Sequence, residues 1–314
     1  METDTLGAAG NVAVELVSVS KSYDDVAAVR GLSFSIGRGQ IFGLLGPNGA
    51  GKTSTLRMMV GITIPDSGEV RLFGRRFDRQ SLARIGYLPE ERGLYRRMSA
   101  LGNLVFLGEL NGLGAREARR RANAWAERLG LGDWMERKLE EFSKGMQQKV
   151  QFIAALLHEP DLLIMDEPFA GLDPVNAAQL KDVLLELKNS GRAILFSTHR
   201  MEQVEKLSDA ICLLDHGSAV LTGNLREIKA RYGKRFVQIE YEGDGRLLAA
   251  HPLVESSADY GNYAEVRLKP GADSQELLRE LAARCRITRF EVMEPSLEHI
   301  FIEAVTKGDG GARA

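Results

Sequence analysis

The segment Gly46-Pro47-Asn48-Gly49-Ala50-Gly51-Lys52-Thr53 narrows the possible folds of this chain more than any other. It follows the apolar run Ile41-Phe42-Gly43-Leu44-Leu45 and precedes the helix-compatible Ser54-Thr55-Leu56-Arg57-Met58-Met59. A buried strand, a glycine loop ending in Lys-Thr and then a helix is an arrangement that grips a nucleoside triphosphate. The glycines let the backbone curl, so that successive N–H groups of the loop, through Ser54, face the phosphates. Lys52 then offers a positive point charge to the β- and γ-phosphates, and the Thr53 hydroxyl is placed to ligate Mg²⁺. The expected ligand is ATP or GTP.

A second segment bears on what happens to that ligand. Leu162-Leu163-Ile164-Met165 is a short apolar run bounded by Pro160-Asp161 and Pro168, the pattern of a fully buried parallel strand. It ends in Asp166-Glu167. At the carboxyl end of such a strand Asp166 can reach the Mg²⁺ shell. Glu167, one residue on, can accept a proton from an attacking water or orient it. Hydrolysis is the expected chemistry.

Further motifs follow in order, and with them the chain resembles the ATP-binding subunit of an ABC transporter over about Val12 to Gly223. Ser143-Lys144-Gly145-Met146-Gln147 stands where that family keeps its signature loop, 23 positions before Asp166. Gly171-Leu172-Asp173-Pro174 is similar to its dimer-contact loop. His199, after Ala193-Ile194-Leu195-Phe196 and Ser197-Thr198, matches its switch histidine, and Tyr23 matches the aromatic that stacks on adenine. A histidine at a strand end can hydrogen-bond a γ-phosphate, and a tyrosine offers a flat π-face to a purine. Met146, Val150, Ile153 and Leu157 fall on one helix face, with Ser143 placed to cap it. The resemblance implies that Ser143, Gly145 and Gln147 contact the ATP held by a second copy, so that the site is shared across a dimer.

Two departures from the family pattern stand out. The usual signature is Leu-Ser-Gly-Gly-Gln; here Phe142 and Lys144 replace the Leu and the first Gly, while Ser143, Gly145 and Gln147 are read as retained. In Tyr87-Leu88-Pro89-Glu90-Glu91-Arg92-Gly93-Leu94-Tyr95, the loop that senses Mg²⁺ and contacts the membrane partner, Glu90 takes the place of Gln. A carboxylate still ligates Mg²⁺ or its waters. Both variations resemble a bacterial exporter-type branch of the family.

Composition fits an intracellular enzyme. With 314 residues, 44% hydrophobic and 27% charged, there is material for one large domain and a smaller one. A formal charge of −2 gives no case for nucleic acid as a partner. Cys212 and Cys285 lack metal-type spacing and read as free thiols. The opening residues carry no basic start or apolar segment, so no signal peptide is expected. No stretch approaches the roughly 20 apolar residues of a membrane helix. The resemblance therefore implies a cytoplasmic subunit, attached to the inner face of the membrane through a separate membrane-spanning permease and working as a homodimer or with a paired ATPase subunit.

The expected fold class is α/β: a P-loop NTPase core with a mostly parallel sheet, an antiparallel β layer over Ala13 to Ile36, and a helical subdomain between about Gly93 and Pro160. The dense arginines of that subdomain (Arg116, Arg119, Arg120, Arg121 and Arg128) read as a solvated helix face. A composition shift at Arg231-Tyr232-Gly233-Lys234-Arg235 marks a boundary. We expect a flexible start over 1–11, the ATP-binding domain over 12–231, a small C-terminal α+β domain over 232–306 and a flexible tail over 307–314. In the small domain Val237, Ile239 and Tyr241 alternate as in a strand, Ala264 to Leu268 repeats the pattern, and Ser274 to Cys285 and Glu298 to Val305 read as helices.

The motifs are compatible with three functional classes. A transporter motor leads. A soluble cassette ATPase acting on ribosomes or DNA is the alternative, but such relatives usually carry two cassettes or a long coiled-coil insertion. A nucleotide-dependent binding protein is disfavoured by intact Lys52, Asp166, Glu167 and His199.

Overall fold

The computed structural model describes residues 11–91, 93–232, 235–242, 246–301 and 304. The expected flexible start (residue 11 aside) and tail lie outside these residues, as do 233 and 234 of the expected boundary and 302, 303 and 305 of the last expected helix. The chain divides into two compact units, Met1–Gly223 and Asn224–Ala314. The division falls earlier than composition suggested, because the Asn224 carboxamide oxygen accepts from Arg226 N at 3.0 Å and Glu227 N at 3.3 Å and opens a helix of the second unit.

The first unit runs β1 (Val12–Tyr23), β2 (Val26–Gly37), β3 (Ile41–Leu45), α1 (Lys52–Met59), β4 (Ser67–Leu72), β5 (Arg75–Arg76), β6 (Ile85–Leu88), α2 (Ala100–Leu110), α3 (Ala115–Arg128), α4 (Lys144–Leu156), β7 (Leu162–Asp166), α5 (Pro174–Asn189), β8 (Ala193–Thr198), α6 (Met201–Leu207), β9 (Ala210–Asp215) and β10 (Ser218–Asn224). Two sheets result. A four-stranded layer has the order β2-β1-β4-β5, all antiparallel. A six-stranded sheet has the order β10-β9-β3-β8-β7-β6, with β9, β3, β8, β7 and β6 mutually parallel.

Local sequence explains the split. β3 and β7 are buried at every position, as strands covered on both faces must be. β1 and β2, expected as short runs, are continuous 12-residue strands that pair through several register shifts. The inward residues Val14, Leu16, Leu32 and Ile36 share one core with Leu44, Leu56, Ile164 and Leu195. Phe34 of the layer stacks on Phe42 of the sheet at 4.9 Å between ring centroids. Each such buried side chain contributes about 1.5–3 kcal/mol.

Ala118, Ala122 and Ala126 bury one face of α3, while Arg116, Arg119, Arg120 and Arg128 are exposed and Arg121 is half-buried; Arg119, Arg120, Arg121 and Arg128 pair with Glu136, Glu117, Glu117 and Glu186. Arg120 and then Arg121 bond the Glu117 carboxyl and hold it down to about 2.

The second unit runs α7 (Leu225–Tyr232), β11 (Phe236–Glu242), α8 (Arg246–Ala249), β12 (Val254–Asp259), β13 (Tyr263–Leu268), α9 (Ser274–Ala282) and β14 (Arg286–Met293), with helix again over 297–301. Its antiparallel sheet has the order β12-β13-β11-β14. Val237, Ile239, Tyr241, Ala264 and Val266 line one face, against Leu248, Leu277 and Leu281. β11, β13 and α9 fall where the alternation and helical spacing of the sequence place them. β12 and β14 are edge strands with few buried positions and faint alternation, and the sequence pattern does not mark them.

Gly86 in β6 marks a close approach to α4. A Cβ there would run into the Ala155 carbonyl oxygen and lie 2.9 Å from Pro160 Cγ. Gly86→Ala is expected to cost about 2 kcal/mol through overpacking, read as an earlier midpoint in chemical unfolding. An unchanged midpoint would show that the helix and strand have room to part.

Candidate functional site

Because their strands are parallel, β3, β7 and β8 deliver their following loops to one edge of the sheet, the place where open α/β sheets hold ligands. A cleft of about 400 Å³ opens there, lined by Asn48, Gly49, Gly51, Lys52, Thr53 and Ser54 on one side and by Glu90, Asp166, Glu167 and His199 on the other, with Ala28 and Ala170 completing it. Gly46, Pro47 and Ala50 shape the loop from behind: Ala50 N donates to Pro47 O at 3.2 Å, and a Cβ on Gly46 would collide with the Leu214 carbonyl. Gly51 has φ 99° where the loop turns into α1, a left-handed conformation natural to glycine. The first N–H groups of α1 lack helical partners and open on the cleft side.

Lys52 is 7% exposed, and its ammonium donates to Gly46 O at 2.7 Å and Pro47 O at 3.0 Å. Burial lowers its pKa, against the opposing fields of Glu167, Asp166 and Glu90. A cation removed from water and flanked by carbonyl oxygens suits a ligand that brings negative charge.

The acidic arm is held as tightly. Asp166 is 1% exposed. Its Oδ1 accepts from the Ser197 hydroxyl, and its Oδ2 accepts from the Thr53 hydroxyl at 2.8 Å. Glu167 has φ 48°, a conformation costing about 1–3 kcal/mol. Its N–H donates to Ser197 O at 3.1 Å, and its carboxylate accepts from the Thr198 hydroxyl at 3.0 Å and the His199 N–H at 3.0 Å. His199 Nδ1 lies 2.7 Å from the same carboxylate. The histidine expected to meet a phosphate is thus here a direct partner of Glu167, with a half-exposed ring. Ser197 and Thr198, not singled out as site residues from the sequence, fix both carboxylates. Their signal was present: two hydroxyls where an apolar strand ends, just before His199.

Tyr23, Ser143, Gly145 and Gln147 do not line this cleft. Tyr23 lies at the end of β1, exposed, with Lys21 Nζ 5.7 Å from its ring centroid. Ser143 caps α4, its hydroxyl accepting from Met146 N at 3.2 Å. Gly145 approaches Gly171, whose carbonyl oxygen would be 3.3 Å from an added Cβ. Gln147 follows Ser143 by four residues, whereas the glutamine of Leu-Ser-Gly-Gly-Gln follows by three. One helical step turns it inward, where its amide donates to Leu139 O and Phe142 O, both at 3.0 Å. Met146 occupies the family's glutamine place.

The donor set fits a hard cation beside phosphates: Thr53 and Asp166 present oxygens in contact, and Glu90 faces the same cleft. Among the described residues no cluster of three or more His, Cys, Asp or Glu is able to hold a metal alone. A cation here would need phosphate oxygens and water to complete its shell.

A separate groove of about 280 Å³ lies beside Pro89, lined by Tyr87, Leu94, Leu107, Gln151 and His158. Burial lowers the His158 pKa and favours the neutral ring. Its Nε2 bonds Ile85 O at 3.0 Å, and Nδ1 and Gln151 Oε1 have no partner among the described residues. Both unpaired atoms are buried within the residues that line the groove.

Comparison with known proteins is consistent with this geometry. Residues 29–170 match the family model described as ABC transporter, and residues 223–305 match that of the ATP-binding protein DrrA1-3-like, C-terminal domain. The chain is 46% identical over 287 residues to the uncharacterized ABC transporter ATP-binding protein YhaQ of Bacillus subtilis, covering 91% of this chain and 96% of that protein. It is 33% identical to the Nod factor export ATP-binding protein I of a Rhizobium species, over 93% of this chain and 96% of the relative. A solved ATP binding subunit of an ABC transporter superposes with a TM-score of 0.66 at 32% identity, over 70% of this chain and 93% of the other.

Lys52→Ala removes the one buried cation of the loop. It is expected to weaken triphosphate binding roughly tenfold to a hundredfold, measured by calorimetric titration. Unchanged affinity would exclude Lys52 from the contact.

Proposed function

The chain belongs to the ABC transporter family, and from that premise we propose that this ATPase is the motor subunit of an exporter, driving a separate membrane-spanning partner by closing and reopening two ATPase units. The carrying observation is the convergence of Lys52, Thr53, Asp166 and Glu167 on one cleft. ATP lies with its phosphates over Gly46 to Ser54, and Lys52 exchanges its loop carbonyls for phosphate oxygens. Thr53, Asp166 and Glu90 are the side chains to hold Mg²⁺, which when bound neutralises the phosphate oxygens. Glu167 orients the attacking water and takes its proton. His199 positions that carboxylate and reads the γ-phosphate beside it.

The remaining residues act across two copies. Tyr23 stacks on adenine. The capped start of α4, with Ser143 and Gly145, meets the nucleotide of the other unit, and Gln147 holds the loop that carries them. The groove beside Pro89 receives the membrane partner: it adjoins Glu90, on the loop that follows β6. Among the described residues no helix is long and apolar enough to cross a membrane, so crossing falls to that partner and this subunit works at the cytoplasmic face. Export, rather than import, follows the role of the Nod factor export relative. Likeness over nearly the whole length of transporter subunits disfavours a ribosome- or DNA-directed ATPase.

Glu167→Gln is expected to retain ATP binding, lower turnover by about 100-fold or more, and accumulate a dimer with Mg-ATP on gel filtration. A monomer under saturating Mg-ATP would sink the shared-site mechanism. Purified from gently solubilised membranes, the same variant is expected to bring a multi-helix membrane protein with it; recovery with ribosomes or DNA alone would reverse the choice.

A further inference from the structure

The outer edge of β14 carries a charge pattern that the ATP site does not use. β14 ends its sheet, and among the described residues no strand pairs with that edge. A bare edge is a template for another strand, and proteins commonly blunt it with charges. Here the segment reads Arg286-Ile287-Thr288-Arg289-Phe290-Glu291-Val292-Met293-Glu294. Reversed about Phe290, it places Arg289 opposite Glu291. The charges are complementary to their own reversal.

We propose that β14 pairs antiparallel with β14 of a second copy, with a two-fold axis at Phe290, joining two four-stranded sheets edge to edge. The axis stands perpendicular to the sheet, so opposed residues lie on the same face and the axis must pass through a residue. Centred on Arg289 or Glu291, the pairing sets two like charges against each other, which is repulsive. Centred on Thr288 or Val292, no arginine of the strand meets a glutamate of the strand. The register at Phe290 stands apart.

Both faces of the strand support that register. Against β11, Phe290 lies opposite Ile239 and Val292 opposite Val237, on the apolar side; Arg289 lies opposite Glu240 and Glu291 opposite Gln238, on the polar side. Ile287 and Phe290 are only partly buried against the core, and Val292 is 38% exposed. A second β14 covers these apolar flanks on one side and forms Arg289–Glu291 pairs between copies on the other. Within one chain Arg289 already bonds Glu291 and lies 3.5 Å from Glu240 of the inner neighbour β11, so pairing between copies exchanges these contacts for Arg289–Glu291 contacts across the axis. Main-chain hydrogen bonds supply the rest, as in strand addition generally. The register shift between Glu240 and Tyr241 keeps the ladder short and the affinity modest.

The test uses the full chain without nucleotide, so its outcome is separate from that of ATP-driven closure. In sedimentation equilibrium the wild type is expected to approach twice the 34.6 kDa chain mass as concentration rises. Arg289→Glu and Glu291→Arg, taken singly, oppose like charges and should each weaken association about tenfold or more. Mixed together, the two variants match every charge across the axis and should associate at least as well as the wild type. Intramolecular damage to either variant would not be repaired by mixing. A second measurement avoids charge altogether: Phe290→Cys, with Cys212→Ala and Cys285→Ala, should form an intermolecular disulfide under mild oxidation, since opposed Cα atoms lie about 4.5–5.5 Å apart. A wild type that stays monomeric, single variants that associate like wild type, a mixture no better than its components, or no cross-link would each overturn the proposal.

Discussion

The Asp166 carboxylate, held between two hydroxyls, is the constraint around which the site is organised. Thr53 belongs to the first turn of α1, Ser197 to β8, and Asp166 closes β7. Those bonds tie the phosphate loop and two parallel strands into one rigid edge. A buried carboxylate without them would carry a desolvation penalty; with them it becomes a fixed pair of oxygen acceptors. Glu167 is set by the same edge, because its N–H bonds Ser197 O and its carboxylate is caught by Thr198 and His199. The unusual backbone angle at Glu167 is sustained by these contacts, and the group is already aimed into the cleft.

Much of this was legible in the residues. The glycine loop, its Lys-Thr ending and the apolar run before Asp166 each have a local physical reason, so the central sheet and its cleft were readable. What sequence did not convey depends on long-range approach. Ala28 reaches the cleft through β2, and nothing in its neighbourhood marks it. Ser197 and Thr198 looked like the polar end of a strand until their partners 31 residues away were in place. Gln147 shows the opposite failure: the residue type suggested a ligand contact, but its helical phase turns it to the carbonyls of Leu139 and Phe142.

The second unit was partly readable for a related reason. β11 and β13 are central strands with one buried face, so alternation is strong. β12 and β14 sit at the edges, where neighbouring water relaxes the demand for apolar residues. The boundary was displaced because a change in composition records the end of α7, whereas the folding unit opens at its beginning, with the Asn224 cap.

The bonds from Lys52 to Gly46 O and Pro47 O carry a consequence of their own. In its proposed role the ammonium meets phosphate already solvated by its own loop, so capture is a substitution and only the difference between two bonded states becomes affinity. The loop carbonyls stand ready to reclaim the proton donors as soon as negative charge departs. In that proposed role release is a substitution too, which is what repeated cycling asks of a nucleotide clasp.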